Sequence, residues 1–331
     1  MQSETAHSLP THAARVLYAC RMITAPSGGP GAPSASDWAR FQPGATPDIT
    51  LMQAHFTEHV FERHSHAQYA IGVTHSGVQT FHCRGAAHAS LPGDLLLFNP
   101  DEAHDGQRGT DEGFGYAILY VDPAALPRHL QREAGTLASA FFRQPVVHDP
   151  QAAAALQRAM AAIGQPQESL RGEALTTDVL VRLLQRHGET PATHAEPLAA
   201  GARRMLRVRD HIRAHASRDL SVAELAREAG LSRVHLSRAF ARHFGVPPHV
   251  YLNAVRLEHA KRLLLAGVAP ALAALDAGFA DQSHFSRRFK GATGLAPGAW
   301  LRQMGAQAAA GDGASTASTS AVSRYSTTSV S

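Results

Sequence analysis

Apolar positions change their spacing three times along the chain. Between Asp48 and Val121 they come in short runs: ITLMQAHF, YAIGVTH, VQTFHC, DLLLF and YAILYV. Turn-forming pairs punctuate these runs at Ser76-Gly77, Arg84-Gly85, Pro92-Gly93 and Asn99-Pro100. Short strands with such punctuation predict a β-sandwich or barrel. Over 150–187 the spacing turns helical, and Leu170, Ala174, Leu175, Val179, Leu180, Leu183 and Leu184 fall on one stripe. That stripe needs a partner surface, either its own barrel or a second copy of the chain. TPATHAEPLAAG, over 190–201, breaks the pattern as a linker does, and helical spacing then fills 203–305. The two ends lack a core-forming pattern: scattered Pro and Gly early on (APSGGPGAPSAS), and GASTASTSAVSRYSTTSVS at the close. The expected division is a flexible segment 1–45, a β domain 46–188, a linker 189–202, a helical domain 203–305 and a disordered tail 306–331.

The helical domain repeats itself. Ala226–Leu231 (AREAGL) resembles Ala274–Phe279 (ALDAGF), 48 residues on, and His235–Phe240 (HLSRAF) resembles His284–Phe289 (HFSRRF), 49 residues on. Gly245, Pro248 and Tyr251-Leu252 match Gly294, Pro297 and Trp300-Leu301. A short helix ending in Ala-Gly-apolar, a tight turn and a second helix is a helix-turn-helix layout. Gly230 and Gly278 suit the left-handed backbone of such a turn, and Ser232 and Asp281 are good N-caps.

Each second helix has two faces. In the first unit Leu236, Ala239 and Phe240 face in, while Val234, Ser237, Arg238 and Ala241 face out. In the second unit Phe285 and Phe289 face in, while Ser283, Ser286, Arg287 and Lys290 face out. Short side chains around one arginine let a helix sit deep in a major groove, where the arginine can donate two hydrogen bonds to guanine. Arg233, Arg242 and Arg288 would flank the groove and meet phosphates, and Lys290 makes the second helix the better suited of the two to backbone contact. One such helix in an arginine-rich chain means little; two with matching caps, turns and Ser-Arg pairs mean much more.

Charge adds an asymmetry. Residues 198–305 carry 17 Lys+Arg against 7 Asp+Glu, whereas residues 1–197 carry 13 against 19. One half is therefore built to meet a polyanion and the other is not. No run of apolar residues is long enough to span a membrane, and no secretory signal is visible at the N-terminus. Cys20 and Cys83 have no metal-ligand spacing and read as reduced thiols of a cytosolic protein.

Residues 203–303 resemble the AraC/XylS family of transcription regulators. The second unit carries the family's pattern at Gly278-Phe279, Asp281, Ser283, Phe285-Ser286-Arg287, Phe289-Lys290, Gly294 and Pro297. It departs with Trp300, where Tyr is usual, and with Ala271–Leu275 in place of an Ile-Ala-x-Ile-Ala run. The resemblance implies base-reading positions at Val234, Ser237 and Arg238, and at Gln282, Ser283, Ser286 and Arg287. It also implies a connecting helix over Tyr251–Leu265 that holds the two reading helices about one DNA turn, roughly 34 Å, apart.

Residues 55–104 resemble, more weakly, the sugar-binding-type cupin domain found before this module. The resemblance is carried by His64-Ser65-His66, Gly77, Pro92-Gly93-Asp94 and Asn99–His104. The whole chain is thus expected to be two-domain: an N-terminal all-β cupin-like barrel with flanking helices, then an all-α tandem helix-turn-helix of homeodomain-like form. His64 and His66 share a strand face, and His104 from a later strand could join them. An enzyme cupin adds a carboxylate three or four residues beyond His66, but Ala70 and Ile71 stand there, so neither metal nor other cofactor is expected. His64, His66, Gln68 and His104 are read instead as lining an effector cavity at the barrel mouth. The leading expectation is a cytoplasmic, ligand-responsive regulator and not an enzyme. Its partners would be double-stranded DNA, a small-molecule effector, a second copy of itself and RNA polymerase, with no membrane. A cupin metalloenzyme fused to a DNA-binding module and a ligand-independent dimeric regulator are the alternatives.

Overall fold

A computed structural model describes residues 37–44, 46–124, 126, 141–163, 165, 168–189 and 200–305. Twelve short strands occur among the described residues of the N-terminal half. A six-stranded antiparallel sheet contains β1 (Trp38–Pro43), β2 (Ile49–Phe56), β9 (Phe114–Val121), β4 (Tyr69–Gly77), β7 (Leu95–Phe98) and β11 (Val146–Val147), in that spatial order. A four-stranded sheet of order β3 (Phe61–His64), β8 (His104–Arg108), β5 (Gln79–Cys83), β6 (Ala86–Ser90) closes over it. A two-stranded ribbon joins β10 (Phe141–Phe142) to β12 (Gly188–Glu189).

The large sheet is buried on both faces, which is why its strands read as nearly continuous apolar runs. Ile49 and Leu51 of β2, Ile71 and Val73 of β4, and Ala117 and Leu119 of β9 face outward onto two helices, α1 (Pro150–Ile163) and α2 (Ser169–His187). Leu156, Met160, Val179, Leu180, Leu183 and Leu184 fill the other side of that layer. The barrel itself therefore covers the helical stripe; Leu170, at its start, stays exposed. Leu180→Ala in this layer would cost about 2–5 kcal/mol.

The alternate residues of the same strands, Met52, Ala54, Phe56 and Ile118, face the barrel interior. This core does not end at the barrel. It runs on through Leu257, Leu264, Phe285, Phe289 and Trp300 of the helical half, with Phe41 of β1 meeting Trp300 edge-on at 6.4 Å.

Strand β1 falls inside 1–45, the segment expected to be flexible. Its alternation puts Ala39 and Phe41 in the core, and its backbone pairs with β2 from Trp38↔His55 to Pro43↔Thr50. Residues 1–36, most of the expected linker (190–199) and the tail from 306 lie outside the described residues; Cys20 is among them. Cys83 is buried with a free thiol that burial pushes up to about 12.

The helical half starts with α3 (Ala200–His215) and α4 (Val222–Glu228), followed by α5 (Arg233–Phe244) and α6 (Pro248–Leu265). Then come α7 (Pro270–Asp276), α8 (Gln282–Thr293) and a last helix, α9, over 297–305. Gly230 (φ +59°) and Gly278 (φ +92°) make the left-handed turns between α4 and α5 and between α7 and α8.

Candidate nucleic-acid interface and the cavity beside it

Helices α5 and α8 begin and end alike. Ser232 Oγ accepts from the His235 amide at 3.3 Å, and Asp281 Oδ1 accepts from the His284 amide at 2.7 Å. Both chains leave the helix through a left-handed glycine, Gly245 (φ +75°) or Gly294 (φ +76°). Leu236 and Phe240 anchor α5 in the first unit, and Phe285 and Phe289 anchor α8 in the second.

These anchors leave the opposite faces to solvent. Val234, Arg238, Arg233 and Arg242 are exposed on α5, with Ser237 half-buried between them. On α8, Gln282, Ser283, Arg287, Arg288 and Lys290 are exposed and Ser286 is half-buried. All eleven positions expected to meet DNA are thus at least partly accessible.

The C-terminal ends of both helices rest on the barrel. A Cβ placed on Gly245 would lie 2.6 Å from that of Ala103, and one placed on Gly294 would lie 2.9 Å from Phe56 Cζ. Arg63 Nε donates to the Gly245 carbonyl at 2.9 Å, setting a cation at the end of α5 where the helix dipole favours one. Arg288 Nη1 reaches Glu62 of β3 at 3.0 Å. Gln303 of α9 pairs with the β1 backbone, accepting from the Phe41 amide and donating to the Ala39 carbonyl.

Between the halves lies a cavity of about 380 Å³. Barrel residues Phe41, His64, Ser65, His66 and Tyr120 form one wall. Asn253, Leu257, Glu258 and Lys261 of α6, with His284, Arg287 and Arg288 of α8, form the other. Helix α8, the second helix of the second helix-turn-helix unit, is therefore also a wall of the cavity.

The structure brings three of the four expected effector residues together. His64 and His104 sit directly opposite across β3 and β8 with ring centroids 4.5 Å apart, and His66 lies 5.1 Å from His104 and 6.2 Å from His64. His104 is buried behind them, stacked on Phe98 at 4.1 Å, and does not line this cavity. Nor does Gln68 line it; its carbonyl oxygen takes the His66 Nδ1 proton at 2.7 Å. His64 Nδ1 and His104 Nδ1 likewise contact the backbone oxygens of Glu62 and Glu102, at 2.8 and 2.9 Å. A carbonyl can only accept, so each ring carries its proton on Nδ1 and keeps a lone pair on Nε2. Burial, then the neighbouring imidazoles, hold His104 well below the usual histidine range; burial and His64 push His66 down to about 3. Burial lowers His64 too. The three imidazoles are therefore neutral at pH 7. Among the described residues no group of three or more His, Cys, Asp or Glu is arranged to hold a metal ion.

Sequence reasoning missed Tyr120 and the whole α6 wall. One signal was available. Apolar residues of α6 (Val250, Leu252, Val255, Leu257, Leu263, Leu264) are not confined to one stripe, the mark of a helix covered on more than one side.

Comparison with known proteins bears on both halves. The profile of the AraC-like ligand binding domain matches residues 46–185, and that of a helix-turn-helix domain matches residues 225–303. YbfI, an HTH-type transcriptional regulator of Bacillus subtilis, is 29% identical over 224 residues, covering 68% of this chain and 81% of its own. The arabinose operon regulatory protein of Escherichia coli is 28% identical over 235 residues, covering 69% of this chain and 78% of its own. Among solved structures, a ToxT variant from Vibrio cholerae in its apo form gives a TM-score of 0.52 at 14% identity, over 78% of this chain and 98% of that one. That last likeness is one of fold.

Proposed function

The chain belongs to the AraC/XylS family of transcription regulators, with an N-terminal ligand-binding domain and a C-terminal helix-turn-helix DNA-binding domain, and from that premise we propose that its effector binds in the cavity between the two domains. The observation that carries this reading is the composition of the cavity walls. One belongs to the barrel and the other to α6 and α8, so an occupant touches both domains at once. A ligand can shift a conformational equilibrium only through contacts that differ between its states, and a site shared by two domains supplies them.

The chemistry of the barrel wall narrows the effector. His64 and His66 offer neutral Nε2 acceptors, and neither Nε2 has a hydrogen-bond partner among the described residues. Phe41 and Leu257 add apolar surface. Two of the cations at the mouth are already balanced, Lys261 by Glu258 at 2.8 Å and Arg288 by Glu62 at 3.0 Å. Arg63 and Arg287 also line the cavity; towards the histidines the effector presents hydroxyl or amide N–H groups, with an apolar flank towards Phe41 and Leu257.

In this reading Val234, Ser237 and Arg238, and Gln282, Ser283, Ser286 and Arg287, read bases, while Arg233, Arg242, Arg288 and Lys290 hold phosphates. The protein works in the cytoplasm without catalytic activity, at promoters where RNA polymerase is its partner. It acts as a homodimer; because the barrel covers the α2 stripe, the dimer contact uses outward positions such as Leu170.

Thermal unfolding of the full chain tests the effector site with 2-phenylethanol and phenylacetate, which share a skeleton and differ in the donor. A ligand of the native state must raise the midpoint. The alcohol should stabilise more than the carboxylate, and Ala254→Trp, at an α6 residue that lines the cavity, should fill it and abolish the effect. Greater stabilisation by phenylacetate would contradict the acceptor wall. Equal stabilisation of wild type and Ala254→Trp would contradict the cavity.

A further inference from the structure

The loop between β7 and β8 joins the domains at two side chains, Ala103, which rests against Gly245, and Asp101, the one that carries charge. Asp101 stands at its tip with φ +62°, a left-handed conformation uncommon outside glycine though better tolerated by aspartate than by most residues. The loop is bolted to the barrel from below. Asn99 exchanges hydrogen bonds with the Phe142 backbone at 2.8 and 3.1 Å, and the Asp101 amide donates to the His66 carbonyl at 2.8 Å. His66 is also a cavity residue.

From that base the Asp101 carboxylate reaches into the first helix-turn-helix unit. Arg213 Nη2 of α3 donates to its two oxygens at 2.7 and 2.6 Å, and the Tyr251 hydroxyl of α6 donates to Oδ1 at 2.9 Å. Arg213 Nε closes the triangle by donating to the Tyr251 oxygen at 2.8 Å. Tyr251 is fully buried, and its ring packs on Phe240 and Phe244 of α5 at 5.6 and 5.7 Å. The carboxylate is thus one side chain away from the inner face of the first reading helix.

We propose that Asp101 is a positioning residue for DNA reading: through Arg213 and Tyr251 it holds α5 in the orientation the barrel dictates, and its release lets the two reading helices adjust to DNA. The second unit is held separately, by Glu62 on Arg288 and by Gln303 on β1. While both sets of contacts persist, the barrel rather than the double helix sets the relation between α5 and α8. In that state Arg288, assigned to a phosphate, is occupied by a carboxylate. The docked arrangement is therefore the weaker DNA binder. This inference rests on the DNA-binding assignment alone and needs no effector.

The test uses the full chain and a duplex selected by the wild-type protein from a random library. Asp101→Ala should raise affinity on the order of five- to tenfold, the low end of ordinary coupling between sites, and increase the maximum dimension seen by small-angle scattering while far-UV circular dichroism stays unchanged. Arg213→Ala should do the same, and the double variant should gain no more than either single one, since both break one latch. Should Asp101→Ala not fold, Asp101→Asn serves in its place; it keeps an acceptor for Tyr251, loses the charge and should show a smaller gain. A residue that merely supported the fold would lower affinity and melting temperature together. Unchanged or reduced affinity in a folded Asp101 variant, or gains that add in the double variant, would overturn the proposal.

Discussion

Gly245, which ends α5, rests against Ala103 of the barrel so closely that a Cβ at the glycine would lie 2.6 Å from the alanine's. Gly230 also has positive φ, but a Cβ there would meet nothing within 4 Å. The pair separates strain from docking. Gly230→Ala and Gly245→Ala should each cost about 1 kcal/mol of stability for a side chain in left-handed backbone. Only Gly245→Ala should also push the domains apart, seen as an increased scattering dimension. Equal dimensions for the two variants would show that the glycine contact does not matter to docking.

Arg238 and Arg287 occupy equivalent places in the two units, and both are exposed. If each makes a bidentate contact to guanine, replacement by alanine should cost about 1–3 kcal/mol on the selected site and much less on random DNA. The base preferences lost by the two variants should lie about one helical turn apart. Arg242→Ala should instead weaken all sequences alike. Binding each variant to a duplex library decides the matter: uniform loss for Arg238→Ala and Arg287→Ala would make both arginines phosphate clamps.

Glu62 and Arg288 form an exposed pair, with 79% and 43% of their side-chain surface accessible. Such pairs contribute little to stability, but this one competes with phosphate. Glu62→Ala should leave the melting temperature nearly unchanged and raise DNA affinity at most about fivefold. Arg288→Ala, by contrast, should flatten the log–log salt dependence by about one contact's worth, roughly 0.9 ions. An unaltered slope would mean that Arg288 does not reach the backbone.

Stability should fall with acidification in a window set by the buried histidines. His66 titrates near 6.5 when unfolded and at about 3 when folded, because burial and the His64 ring disfavour its charge. Between those values the unfolded chain binds a proton that the folded chain refuses, so stability drops as pH falls from about 6.5 towards 3. Asp37 and Asp149, whose backbone and side-chain partners hold them low, add to the loss only below their ordinary 3.8. Melting temperatures between pH 7 and about pH 4 should therefore decline in wild type and decline less in His66→Gln. His64 and His104 are shifted the same way and keep the variant from becoming flat. An identical decline in both proteins would contradict the assignment.

The helical half was legible because its determinants are local. Ser232 and Asp281 cap their helices, Gly230 and Gly278 turn between them, and Leu236, Phe240, Phe285 and Phe289 anchor them, each within a dozen residues of sequence. The barrel was legible only where its strands carry runs of large apolar residues. FERH, AAHAS and HDGQR, which form β3, β6 and β8, carry few apolar residues, and the pairing that makes them strands comes from distant segments. Strand β1 was hidden for a related reason: Ala39 and Phe41 lie just beyond a Pro- and Gly-rich stretch. The cavity was the least legible feature, since His66 and Arg287 meet across it from opposite halves of the chain. The motif containing Asn99 and His104 stands out in the sequence for its histidine, whereas Asp101 within it makes the contact with the DNA-binding domain.

Selection of duplexes from a random library by the purified full chain, at two salt concentrations, tests the central claim most directly. On that claim, sites with two short determinants about one turn apart should be enriched, bound with an affinity that falls steeply as salt rises. Recovery of no preferred sequence by a folded protein, or enrichment of a single determinant that survives Arg238→Ala and Arg287→Ala alike, would contradict it.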